Sequence, residues 1–202
     1  GWSYTDVLPI FKSMETYEGG SDEVRGREGL LQVTDTPPEI SPLHSKMIAA
    51  AEKIGIPYTK DYNGLSQEGI GITQVTINKG RRQSTAYCHL DPAKNRPNLT
   101  IVSGALAEKL ILKNKECVGV VYNVGGVRHE AYASQEVVVS SGSINSPKLL
   151  ELSGIGDPKI LDEFNIDVKH ELLGVGRNLR DHYSPRMRLS LIHISEPTRR
   201  RG

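Results

Sequence analysis

Residues 136–150 read EVVVSSGSINSPKLL. Glu136 to Val139 reads as an uninterrupted apolar strand of the buried kind. Ser140-Ser141-Gly142 then makes a glycine turn, and Ser146-Pro147 opens a helix. A strand–Gly–helix junction lets a ligand approach bare backbone, and the helix N-terminus favours an anion. The residues place a candidate cofactor edge at Ser141 and Gly142. Ordinary scaffold uses the same junction, so both readings stand at this level.

The segment upstream is β-rich. Leu99 to Val102 reads as a strand. Leu106 to Leu112 and Cys117 to Val124 form a hairpin around Lys113-Asn114-Lys115-Glu116, and Gly125-Gly126 is the next turn before Val127 to Ala133 returns. Downstream, Asp157-Pro158 caps a short helix carrying Ile160, Leu161 and Phe164. In the first half, Asp6 to Phe11 reads as a short helical turn and Gly19 to Gly29 as a polar loop. Leu30 to Val33 is a short strand. Ser41 caps a helix with Pro42 at its first position, and Leu43, Met47, Ile48, Ala51 and Ile54 recur at helical spacing before Gly55. Asp61 to Gly64 is a turn, and residues 69–78 alternate imperfectly as an extended segment. The fold class that follows is α/β, of mixed α+β character.

Several chemistries are excluded by pattern. The 202 residues carry 25 Lys+Arg against 24 Asp+Glu, a net charge of +1, so bulk charge points to no nucleic-acid partner. At 37% apolar and 24% charged the chain is a folding composition. No apolar stretch approaches the roughly 18–20 residues of a membrane span. His44, His89, His129, His170 and His182 are scattered, with no HExxH and no paired cysteines, so no metal site is expected. Cys88 and Cys117 stand alone, and no GxSxG is present. The neighbours Asp181-His182 read as structural, not as an acid–base pair. Three GxG strings, at 69–71, 154–156 and 174–176, lack the third glycine of a dinucleotide fingerprint and read as ordinary turns. Residues 190–202, SLIHISEPTRRRG, share no pattern with the rest. They read as a non-native, adaptor-like tail, outside the fold argument.

Taken in order, several segments resemble the glucose–methanol–choline (GMC) flavoprotein oxidoreductases, closest to choline-dehydrogenase-like members. Gly1-Trp2-Ser3-Tyr4-Thr5-Asp6-Val7-Leu8-Pro9, with Phe11-Lys12 following, is similar to the family's "GW-Y-DVLPYFK" segment. Gly80 to Ala86 resembles its "G-R-S-A" stretch, and Arg96-Pro97-Asn98-Leu99-Thr100 its "RPNLT" strand start. Ser141 to Leu150 followed by Ser153-Gly154-Ile155-Gly156 resembles its second signature. Gly174 to His182 resembles its "GVG-NL-DH" segment. Five short motifs in family order are far more specific than any one of them.

The resemblance implies a partial FAD-binding GMC-type fold over residues 1–189, with a β-meander and part of a substrate domain. The family's GxGxxG unit, which holds the FAD pyrophosphate, has no counterpart here. Its catalytic histidine has none either; His182 is not that residue, and no catalytic residue is assigned. The resemblance implies that Ala107 offers main chain to the FAD adenine, and that Ser141 and Gly142 lie near the adenosine half. It implies FAD as cofactor, a small-molecule alcohol oxidised to an aldehyde by hydride transfer, and a quinone or other electron acceptor. The compartment it suggests is the cytoplasm or the periphery of an inner membrane. An oxygen-using oxidase, a lyase with structural FAD and a non-catalytic module on the same scaffold are the competing readings. The 202 residues by themselves are expected to be inactive, because most of the pyrophosphate site and the proton acceptor are absent from them, and poorly stable, because strand edges in 98–141 would be left uncovered.

Overall fold

Ser3 sets where the first helix begins. Its hydroxyl accepts from the Asp6 N–H and its own N–H donates to the Asp6 carboxylate at 3.0 Å, a capping box. Helix α1 therefore spans Tyr4–Met14, longer at both ends than the turn expected from Asp6 to Phe11. The computed structural model describes residues 1–187, arranged as two compact units, Gly1–Ile101 and a second that begins at Val102. The tail read above as foreign, 190–202, lies outside the described residues.

In the first unit, strand β1 (Glu15–Tyr17) follows α1 directly and pairs in parallel with β2 (Leu31–Val33). The polar segment between them is a loop, as its composition predicts. Arg27 clamps it by donating to the carbonyls of Gly19 (2.7 Å) and Gly20 (3.0 Å). Helix α2 (Pro42–Lys53) matches the sequence expectation. Ser41 is its N-cap, accepting from Leu43 N–H at 3.3 Å, and Gly55 leaves it at φ +87°. Over residues 69–78, with isolated bridges at Ile70 and Val75, only Ile77–Asn78 (β3) forms a strand. It pairs with Arg81–Arg82 (β4) across the tight turn at Lys79-Gly80. A π-helical turn over Ala86–Leu90 runs into the short α3 (Asp91–Ala93).

The second unit holds the expected meander. Strands β5 (Ala105–Lys113), β6 (Glu116–Val124) and β7 (Val127–Tyr132) are antiparallel in the order β5-β6-β7. Gly125 and Gly126, at φ +59° and +89°, supply the β6–β7 turn, the backbone such hairpins need. Helix α4 (Gly142–Leu152) packs on β5 and leads into β8 (Ile155–Gly156). Helix α5 (Pro158–Glu163), capped by Asp157, leads to β9 (His170–Glu171), which pairs in parallel with β8. Ser153, 1% exposed, joins sheet to helix: Leu110 N–H donates to its Oγ at 2.8 Å and its hydroxyl donates to the Leu149 carbonyl at 2.5 Å.

Three expectations fail. Leu99 to Val102 is not a strand: Leu99 N–H turns back to the Arg96 carbonyl at 3.1 Å, and the backbone stays irregular until Gly104, at φ +67°. Glu136 to Val139 is neither paired nor buried. Among the described residues it has no neighbouring strand, and Val138 is 76% exposed. Helix α4 starts at Gly142, not at Ser146-Pro147, and takes Pro147 into its interior at the loss of one backbone bond to Ser143.

Candidate functional site

The segment 136–140 has no regular secondary structure and leads into the turn where α4 begins. Ser141 stands at the N-cap with its hydroxyl unused for capping, while its own N–H donates to Ser146 Oγ at 3.0 Å. Gly142 has φ +87°, and a Cβ placed on it would meet no atom within 4 Å. Glycine is therefore demanded by backbone conformation, and the space in front of it is open. The first N–H groups of α4 have no intrahelical acceptor, and Gly142, Ser143, Ile144 and Asn145 are all exposed.

Ala107 lies on β5, exposed and opposite Tyr122. β5 is an outer strand of the meander, so one row of its N–H and C=O groups faces away from β6. The register shifts between Ala107 and Lys109, a bulge that twists this edge locally. Tyr122 stacks on His129 of β7 with ring centroids 5.4 Å apart. Ala107 and the Ser141–Gly142 turn thus belong to one unit, whose sheet and helix are held by Ser153; no hydrogen bond joins the two positions directly among the described residues.

The other sequence candidates fall outside this site. Gly154 and Gly156 serve the β8–β9 pairing. Ile70 pairs with the 57–59 backbone, donating to the Pro57 carbonyl and accepting from Thr59 N–H, each at 2.9 Å. Residues 174–176 form a turn tied down by Arg177, which donates to Asp157 Oδ2 at 2.6 Å. The Lys159 backbone N–H, then the Arg177 guanidinium, hold the Asp157 carboxyl below its ordinary pKa. At His182, the backbone N–H donates to the Asp181 carboxylate at 2.8 Å, and both residues are exposed.

Sequence reading missed one cluster altogether. Arg25, 3% exposed, donates to Glu15 Oε1 at 2.6 Å, Asp61 Oδ1 at 3.2 Å and Gln74 Oε1 at 3.3 Å. Its guanidinium lies 4.2 Å over the Tyr17 ring. Gln74 donates to the Tyr17 hydroxyl and to Asp61, each at 3.0 Å, and Tyr17 donates to Asp35 at 2.7 Å. Burial, then the Asp35 bond, push the Tyr17 phenol well above its ordinary pKa. These partners lie up to 57 residues apart, and no local pattern announces them.

Comparison with known proteins accounts for this architecture. An oxygen-dependent choline dehydrogenase of Photobacterium profundum is 44% identical over 183 residues, covering 90% of this chain and 32% of that protein. The fold matches an FAD-dependent oxidoreductase from Chaetomium thermophilum at TM-score 0.82 and 32% identity, covering 90% of this chain and 34% of that one. It also matches pyridoxine 4-oxidase from Mesorbium loti at TM-score 0.81 and 32% identity, covering 90% and 36%. The chain thus spans about a third of the length of the relatives it matches. The family model described as GMC oxidoreductase matches residues 1–184. Over nearly its whole length, then, this chain belongs to the GMC oxidoreductase family.

Proposed function

We propose that the chain is part of an FAD-dependent oxidoreductase that oxidises a primary alcohol, choline or one like it, to the aldehyde. The observation that carries this reading is the open space in front of Gly142, at the start of an eleven-residue helix with unpaired N–H groups. The residues present fit the adenosine half of FAD. Gly142 and Ser141 would let it approach the α4 backbone, and the outer edge of β5 at Ala107 would offer main-chain groups to the adenine. Because the Ala107 contact is main-chain, the methyl side chain is compatible with it. When bound, the flavin supplies the hydride acceptor. The chain's own described residues position the cofactor; no proton acceptor is assigned among them. No helix of the described residues is long and apolar enough to cross a membrane.

The names of two matching proteins, an oxygen-dependent choline dehydrogenase and an oxidase, favour oxygen over a quinone as the second reading for the electron acceptor. The test is made on the full-length protein. Oxidised flavin absorbance should accompany the pure protein and bleach when choline or another primary alcohol is added without air; peroxide release in air would identify the oxidase reading. A protein that neither carries nor takes up FAD would instead be the non-catalytic module. Gly142→Asn tests the turn itself. Asparagine tolerates positive φ better than other side chains, so strain costs at most about 1–2 kcal/mol. Its bulk should nevertheless weaken FAD retention by about tenfold or more while the circular dichroism stays unchanged. Normal FAD content in that variant would remove Gly142 from the site.

A further inference from the structure

The Ser153 hydroxyl spans two elements. Its Oγ accepts from Leu110 N–H of β5, and its proton goes to the Leu149 carbonyl in the last turn of α4. All three residues are buried, so this joint lies in the core of the second unit. The Leu110 N–H is an outer-edge group of β5, and the main-chain groups of Ala107 lie on the same edge. The Val118 carbonyl accepts from Ala133 N–H at 2.9 Å, so alternate residues of β6, among them Val120 and Tyr122, turn their main chain to β7. Their partners on β5, Leu110 and Ala107, turn theirs away from β6. In a regular strand two positions three apart face opposite ways; the bulge between Ala107 and Lys109 brings these two to one edge. Ser153 therefore grips the edge that carries Ala107 and, through the same oxygen, the helix that starts at Gly142.

We propose that Ser153 is a positioning residue for the adenosine half of FAD, fixing the spacing between the Ala107 main chain and the Ser141–Gly142 turn. The proposal rests on the reading above of those two places as the sides of the cofactor site. Apolar packing between a sheet and a helix is non-directional and lets them slide, whereas two hydrogen bonds on one oxygen are directional. A ligand held at two places binds tightly when both already stand at its spacing; otherwise part of its binding free energy goes into moving them. Being buried, Ser153 acts through Leu110 and α4 and not by touching the cofactor.

AMP probes that half of the cofactor, with the full-length protein freed of its flavin as receptor. Well below the unfolding midpoint, Ser153→Ala should weaken AMP binding about tenfold. Ser153→Cys, with a side chain of similar size but a poorer donor and acceptor, should fall between the two. A purely structural role predicts lower stability at unchanged affinity, so Leu161→Ala is the control. Leu161 is 1% exposed, in α5 of the same unit; its truncation should lower the midpoint and leave AMP binding within about twofold. Unchanged affinity in folded Ser153→Ala, or an equal loss in Leu161→Ala, would overturn the positioning role while leaving the site itself standing. Failure of the unaltered protein to bind either AMP or FAD would remove the site, and the positioning role with it. Hydrogen exchange needs no variant. If breaking the Ser153 bond weakens AMP tenfold, AMP must oppose that opening by the same factor, so exchange of the Leu110 amide should slow about tenfold when AMP binds. An exchange rate that AMP leaves unchanged would overturn the proposal.

Discussion

Arg25→Met should cost about 3–5 kcal/mol of stability, the range for removing one partner from a buried ion pair. Methionine keeps roughly the length of the side chain, so the loss is one of charge and hydrogen bonds, not of volume. It strands two carboxylates. Glu15 keeps only its bond from Gly26 N–H at 3.2 Å, and Asp61, whose Oδ2 already has no partner among the described residues, keeps Gln74 and the Asn63 N–H. Both side chains are largely buried, at 20% and 12% exposure, so water screens them poorly. Urea denaturation followed by circular dichroism should show the midpoint falling. Adding Glu15→Gln and Asp61→Asn to Arg25→Met should recover a large part of the loss, because removing all the charges together costs far less than leaving some unpaired. A midpoint that does not move in Arg25→Met would show that the cluster contributes nothing to the fold.

The contrast between this cluster and the elements legible in the sequence has a physical basis. Helix α2 was legible because everything that starts and stops it lies within it or next to it: Ser41, Pro42 and Gly55. The β5–β6–β7 meander was legible because its turns are short and its strands are neighbours in sequence. Gly142 was legible as a special backbone position because glycine takes a positive φ more readily than any other residue. Val137, Val138 and Val139 misled for the opposite reason. Their composition suits a buried strand, but a strand is made by its neighbours, and none stands beside them among the described residues. Pro147 misled because proline favours the first helical position without being confined to it; the helix had already begun at Gly142. The parallel pair β1–β2 went unread because its ladder spans the 18–30 loop and neither strand exceeds three residues. Arg25 lies beyond any such reading, since its burial depends on Glu15, Asp61 and Gln74 meeting through the tertiary fold.

The three GxG strings divide in the same way, and the division yields a second large effect. Gly154→Ala should destabilise the second unit by on the order of 4 kcal/mol or more, while Gly174→Ala should stay within about 0.5 kcal/mol. At Gly154 two penalties coincide. Its φ is +85°, which L side chains avoid, and an added Cβ would collide with the Asp167 carbonyl and approach Lys169 N at 3.2 Å. Those obstacles are backbone and cannot swing aside. They are also fixed by function in the fold: the Gly154 carbonyl accepts from Lys169 N–H at 2.8 Å and His170 N–H at 3.0 Å, the bonds that bring β9 beside β8. Relieving the clash means lengthening those bonds and loosening the parallel pair. Gly174 has ordinary φ, and a Cβ there meets nothing within 4 Å. Thermal or urea unfolding of the two single variants, measured side by side in the full-length protein, separates the cases. Equal losses at the two positions would mean that the β8–β9 approach is not what requires glycine at 154.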